Sequence, residues 1–337
     1  MKEFQEFCRE IAEQTKLLLG EGYETVLKSV QKNNNVTMEG LLIRYRDTNV
    51  VPTIYLDPFY EQYLEGRTME HVVEDVVEMY NKNRLPWKQE PSMRYADIKD
   101  RILFKLMNLP LNRDMLSNMP HVEIGDLAVG FQWTVDTDDR RIGTVRITDD
   151  QAATWGVTTE ELTELALRNT ARDLPPVLRN IEDVLLDILS AAETASGAAG
   201  EADEDAADAA ERESAAEARR RFREGLEEDA KRRDFPMYVL SNNDANGGAA
   251  ALLELPFLNE FKESIGDDFW ILPSSIHEVI LVPVSKIPDR ERLTDMVKEI
   301  NRTQVPKQEF LSDMVYRFSE FESLMPAEFR DKLMAAG

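Results

Sequence analysis

Apolar residues at Phe4, Phe7, Cys8, Ile11 and Leu18 recur at helical spacing before Gly20 and Gly22, so the chain opens on an amphipathic helix. Two β-forming runs follow, Val26 to Val30 and Met38 to Tyr45, around Lys32, Asn33, Asn34 and Asn35, whose side chains tolerate tight turns; this predicts a hairpin. Thr53 to Leu56 reads as a short strand, and Asp57 with Pro58 starts a helix carrying Phe59, Tyr60 and Tyr63. Met69, Val72, Val73, Val76, Val77 and Tyr80 share one face of the clearest helix in the chain. After a Pro-containing connection, Tyr95, Ile98, Ile102, Leu103 and Leu106 predict another helix, ending before Pro110.

The period then changes. Leu127, Val129, Phe131, Trp133 and Val135 alternate with small or polar residues, as do Gly143, Val145 and Ile147, predicting a second antiparallel hairpin. Thr158 or Thr159 with Glu160 and Glu161 starts a helix that Pro175 and Pro176 break, and Ile181, Val184, Leu185, Ile188 and Leu189 form the next stripe. Beyond it, Met237 to Leu240, Ala249 to Leu253, Phe269 to Leu272 and Val279 to Val284 read as strands. Pro256 to Ile265 and the Leu293, Met296, Val297, Ile300 stripe read as helices, Met314 to Phe318 as a last strand, and Pro326 opens a terminal helix. The fold class is α+β: mixed, largely antiparallel sheets built from hairpins with covering helices.

Composition divides the chain. Residues 1–148 form an N-terminal α+β region, 149–190 connecting helices, and 235–337 a C-terminal α/β region able to share one core with the first. Between them, 191–234 is an Ala/Glu-rich low-complexity insertion: 193–210 lacks the apolar surface to offset its ordering entropy, and 211–233 reads as a solvated helix. The whole chain carries 64 acidic against 40 basic residues, a formal charge of −24. That balance argues against nucleic acid and against anionic membrane surfaces. A single cysteine, Cys8, rules out an internal disulfide framework and points to a reducing cytoplasm, and the opening residues do not read as a leader.

Most catalytic patterns fail on inspection. His277-Glu278 begins a zincin-like motif, but Leu281 stands where the second ligand belongs. His121-Val122-Glu123 matches half of a deaminase motif without its cysteine pair. His71 sits at the boundary of a helix stripe. Asn242 to Gly247 imitates a calcium loop whose twelfth position is Leu253 rather than a bidentate Glu, and Asp136, Asp138, Asp139, Asp149 and Asp150 read as turn and cap residues. Tyr55, Phe59, Tyr60 and Tyr63 fit core packing better than a recognition surface. No phosphate-binding loop or nucleophile elbow occurs, so the sequence assigns no cofactor and no metal. The best polar cluster is Pro273 to Glu278, where Ser275 and His277 can share one side; a relay there needs an orienting group such as Asp313 or Asn301.

Several stretches resemble an uncharacterised family of proteins from anaerobic Gram-positive bacteria, a domain of unknown function. They include Lys32-Asn33-Asn34, Pro52 to Leu56, Lys105 to Asn108, Trp155-Gly156-Val157, Leu167 to Thr170, Met237 to Asn242, Ile271 to Val279 and Asn301 to Val305. The resemblance spans nearly the whole chain apart from the insertion, and the second half is also similar to a second uncharacterised Gram-positive family. It implies no activity. The failed motifs and acidic surface point to a non-catalytic cytoplasmic protein that binds a protein or peptide; the alternative is a small-molecule hydrolase or transferase using Ser275, His277 and Asp313.

Overall fold

The computed structural model describes residues 2–46, 53–83, 93–137, 140–198, 220, 225 and 236–335. Two compact units divide the chain, Met1–Asp97 and Ile98–Gly337, and the division falls inside the stretch that composition groups as 1–148.

In the first unit, α1 (Phe4–Leu19) precedes strands β1 (Tyr23–Gln31), β2 (Thr37–Tyr45) and β3 (Thr53–Tyr55), which form an antiparallel sheet in that order. Asn34 and Asn35 take φ of 58° and 59° at the β1–β2 turn, the left-handed geometry that asparagine tolerates. Helices α2 (Asp57–Leu64) and α3 (Met69–Asn83) follow, with the single turn α4 (Tyr95–Ile98). The core joins Phe7, Cys8 and Ile11 of α1, Leu41 and Ile43 of β2, and Val72, Val73, Val76 and Tyr80 of α3. Phe4, Phe7, Tyr60 and Tyr63 pack at ring separations of 5.0 to 6.3 Å, which places Tyr60 and Tyr63 against the core. Burial pushes the Cys8 thiol up to about 12, aided by the nearby carboxylates of Glu39 and Asp57.

The second unit begins with β4 (Ile102–Asn108), where the 98–106 stripe predicts a helix. Six of the seven β4 residues are buried, so this is a strand covered on both faces, a pattern that short apolar periodicity cannot tell from a helix. After α5 (Arg113–Leu116) come β5 (His121–Ile124), β6 (Leu127–Thr137) and β7 (Arg140–Arg146). β6 pairs with β4 along one edge and with β5 and then β7 along the other, all antiparallel. Helices α6 (Asp149–Trp155) and α7 (Thr159–Asp173) each start on a capping box, Thr148 with Gln151 and Thr158 with Glu161.

A five-stranded antiparallel sheet uses β8 (Pro176–Asn180), β9 (Tyr238–Asn242), β10 (Phe269–Leu272), β11 (Val279–Pro283) and β12 (Tyr316–Arg317), ordered β12-β10-β11-β9-β8. Its helices are α8 (Ile181–Ala198), α9 (Leu255–Ile265), α10 (Arg290–Thr303), α11 (Phe318–Leu324) and α12 (Ala327–Met334). Ala249–Leu253, expected as a strand, lies in a fully buried 3-10 helix, Gly248–Leu253, in keeping with its helix-favouring alanines and leucines. Helix α8 continues into the start of the predicted insertion, to Ala198; the rest of 193–233, apart from two isolated positions, lies outside the described residues. No helix among the described residues is long and apolar enough to cross a membrane.

Candidate functional site

The link between β10 and β11 carries Ser275, His277 and Glu278, and it is bonded on both sides. Ile276 donates to the Glu309 carbonyl at 2.8 Å, and Ser312 donates to the Pro273 carbonyl at 2.9 Å. Ser275 Oγ accepts from the backbone N–H of His277 at 3.0 Å, and the His277 carbonyl accepts from the Ser241 hydroxyl at 2.8 Å. The ring is oriented by the Gly247 N–H, which donates to Nδ1 at 3.1 Å, while Nε2 lies 3.9 Å from Glu309 Oε1. Gly248 has no space for a side chain, because a Cβ there would overlap Ser241 Oγ and the His277 carbonyl. Burial raises the Glu278 pKa; His277 opposes the shift and Glu309 adds to it.

Asp313 is directed elsewhere: its Oδ1 accepts from Asn301 Nδ2 at 2.8 Å, and the same amide donates to the Ser312 carbonyl at 2.9 Å. The structure therefore brings Ser275 and His277 together through the backbone and gives Asp313 to Asn301. Among the described residues, no hydrogen bond forms a relay through these three side chains. The neighbouring Asn242 turn is likewise closed on itself, since Asn242 Oδ1 accepts from the Asp244 and Asn246 N–H groups at 3.1 and 3.3 Å. An oxygen holding two N–H donors is poorly suited to a cation.

A second polar cluster was not visible in the sequence. Asp126, in the turn between β5 and β6, accepts from the Ser312 hydroxyl at 2.7 Å and from the Tyr316 hydroxyl. Asn108 Nδ2 donates to the Leu311 carbonyl at 2.8 Å beside it. Gly125 takes φ of 60° here, and a Cβ would meet Tyr316 Oη at 2.9 Å, so glycine suits both the turn and the approach. Burial is the largest cause raising the Tyr316 pKa. Ser312 is fully buried and Tyr316 is 4% exposed, which makes this a structural clasp.

Of the remaining histidines, His71 Nδ1 is 2.8 Å from the Thr68 hydroxyl on the exposed side of α3, and His121 lies on β5. Asp149 and Asp150 occupy the first turn of α6, where carboxylates favour the helix dipole. Asp138 and Asp139, and the Asp136 side chain, lie outside the described residues.

The open surface of the first unit has a different character. Gln14, Leu17 and Leu18 of α1 and Glu70, Val73 and Glu74 of α3 line a groove of about 440 Å³. Leu18 belongs to the predicted core stripe, yet it is 58% exposed and Leu17 is 80% exposed. Buried Val73 forms the floor. The outer face of α1 adds Glu6, Glu10 and Glu13, with Glu3 just before the helix and Arg9 among them; Lys2 pairs with Glu6 at 3.8 Å and with Glu10.

Residues 4–320 match a family described as "Family of unknown function (DUF5688)", so the chain belongs to that family. Comparison with curated proteins and with solved structures finds no match in either.

Proposed function

We propose that the protein is a non-catalytic cytoplasmic binding module whose Met1–Asp97 unit receives a basic amphipathic peptide helix between α1 and α3. One observation carries the reading: Leu17 and Leu18 stand largely in water over Val73, and Glu70 and Glu74 share the groove with no cation in its lining among the described residues. Exposed leucines retain apolar area whose burial is worth about 25 cal/mol per Å². A cleft between two helices suits a third helix presenting apolar anchors at one-turn spacing. Glu13, one turn before Leu17, extends the acidic edge, so lysines or arginines flanking those anchors find complementary charge. The formal charge of −24 adds long-range attraction that salt screens.

Fluorescence anisotropy tests this with an amphipathic Leu/Lys peptide and a scrambled peptide of equal composition. The amphipathic form is expected to bind about tenfold tighter or better, a difference of ~1.4 kcal/mol. Leu17→Asp with Leu18→Asp is expected to abolish that preference. Equal binding of the two peptides, or indifference to the leucine changes, would overturn the reading.

A further inference from the structure

Strand β5, the first turn of α7 and helix α12 enclose a separate cavity of about 390 Å³ in the Ile98–Gly337 unit. Its body is apolar, with Val122, Pro326 and the ring of Phe329, itself 5% exposed. Its mouth carries three exposed carboxylates, Glu123, Glu160 and Glu328.

The lining holds two basic side chains, one fewer than its carboxylates. Lys332 Nζ is held 2.8 Å from Glu164 Oε1, a carboxylate outside the lining, and its charge also acts on Glu160. His121 Nδ1 lies 2.8 Å from the Met119 carbonyl. A carbonyl can only accept, so Nδ1 carries a proton, while Nε2 lies 3.8 Å from Glu123 Oε1. The Thr163 hydroxyl is spent on the Thr159 carbonyl at 2.8 Å. The Glu160 pKa is lowered by its own backbone N–H first, then by the Thr158 hydroxyl, with the Lys332 charge adding to them.

The cavity thus offers acceptors and negative charge above an apolar base. A bare metal ion is a poor fit, because among the described residues no three carboxylate, histidine or cysteine side chains are grouped closely enough to hold one. An anion meets three carboxylates. The volume lies near the lower end of the ~300–1,000 Å³ typical of ligand pockets. We propose that this cavity binds a small organic cation, an ammonium or guanidinium on a short apolar stem, with the stem against Phe329 and the charge among Glu123, Glu160 and Glu328.

That chemistry has two sources, a free amine or a lysine side chain of a peptide. Isothermal titration of the full chain with 2-phenylethylamine, Nα-acetyl-lysine methylamide and the neutral 2-phenylethanol separates them. Saturable one-to-one binding is expected for at least one cation and none for the alcohol. A response to phenylethylamine identifies a free amine, and a response to the lysine amide alone identifies a peptide side chain. Glu123→Gln combined with Glu328→Gln is expected to weaken binding about tenfold or more, whereas Glu6→Gln in the other unit leaves it unchanged. No saturable cation binding, equal binding of the alcohol, or unchanged affinity in the double variant would overturn the proposal. A parallel effect of Glu6→Gln would do so too, by revealing attraction to the acidic protein as a whole.

Discussion

Glu123 and Asp126 are carboxylates three residues apart in the chain, and the fold uses them in opposite ways. Asp126 accepts from Tyr316 and Ser312, both buried, and ties the β5–β6 turn to β12 and the segment before it. Glu123 stands exposed at the mouth of a cavity, with His121 Nε2 3.8 Å away. Residue type does not separate them; whether the hydrogen-bonding capacity is already spent does. By that criterion Ser275, His277 and Asp313 resemble Asp126, since the serine oxygen, the His277 Nδ1 and the aspartate each hold a donor.

The sharpest way to break this comparison is to truncate both carboxylates. Asp126→Ala leaves two buried hydroxyls without their acceptor and is expected to cost about 2–4 kcal/mol in urea unfolding, whereas Glu123→Ala stays within about 0.5 kcal/mol. Similar losses from both would erase the distinction. Tyr316→Phe removes one donor but leaves Ser312 on Asp126, so a smaller loss of about 1–1.5 kcal/mol is expected.

Glu254 provides an intermediate case, a carboxylate whose pKa is raised by burial alone, with no compensating partner among its causes. Its folded form holds the proton more tightly than the unfolded chain does. The stability this contributes is complete below the ordinary glutamate value of 4.5 and is lost as pH rises through the raised folded value. Glu254→Gln is therefore expected to raise the melting temperature by a few degrees near neutral pH and to give little gain below about pH 4. An equal gain at both pH values would show that ionisation of Glu254 is not the cause.

The sequence reports local structure well where one periodicity dominates, as in α1, α3 and the β1–β2 and β6–β7 hairpins. It misreads elements whose burial is uniform. β4 is buried on both faces and Gly248–Leu253 is buried throughout, so neither period two nor period 3.6 stands out. β8 begins at the second of two consecutive prolines, which signal only a helix stop, and β5 is four residues long. Of the polar cluster at 273–278, the sequence shows the proximity of Ser275 and His277 but not the partners that occupy them. Those partners, Gly247, Ser241 and Glu309, come from other elements, and no spacing rule brings them together. The cavity above Phe329 was half visible, because His121 and Glu123 attracted notice as a fragment of a metal motif; what changes their meaning is the arrival of α7 and α12. The exposure of Leu18 is hidden because a leucine at helical spacing reads as core by default.

The clasp also sets a clock on biosynthesis. Asp126 and Tyr316 are 190 residues apart in the chain. At about 5–20 residues per second, a ribosome takes roughly 10–40 s to supply the tyrosine after the aspartate has been made. During that interval the turn beside Gly125 waits without its hydroxyl partners, and the nascent four-stranded sheet stays unfastened on that side.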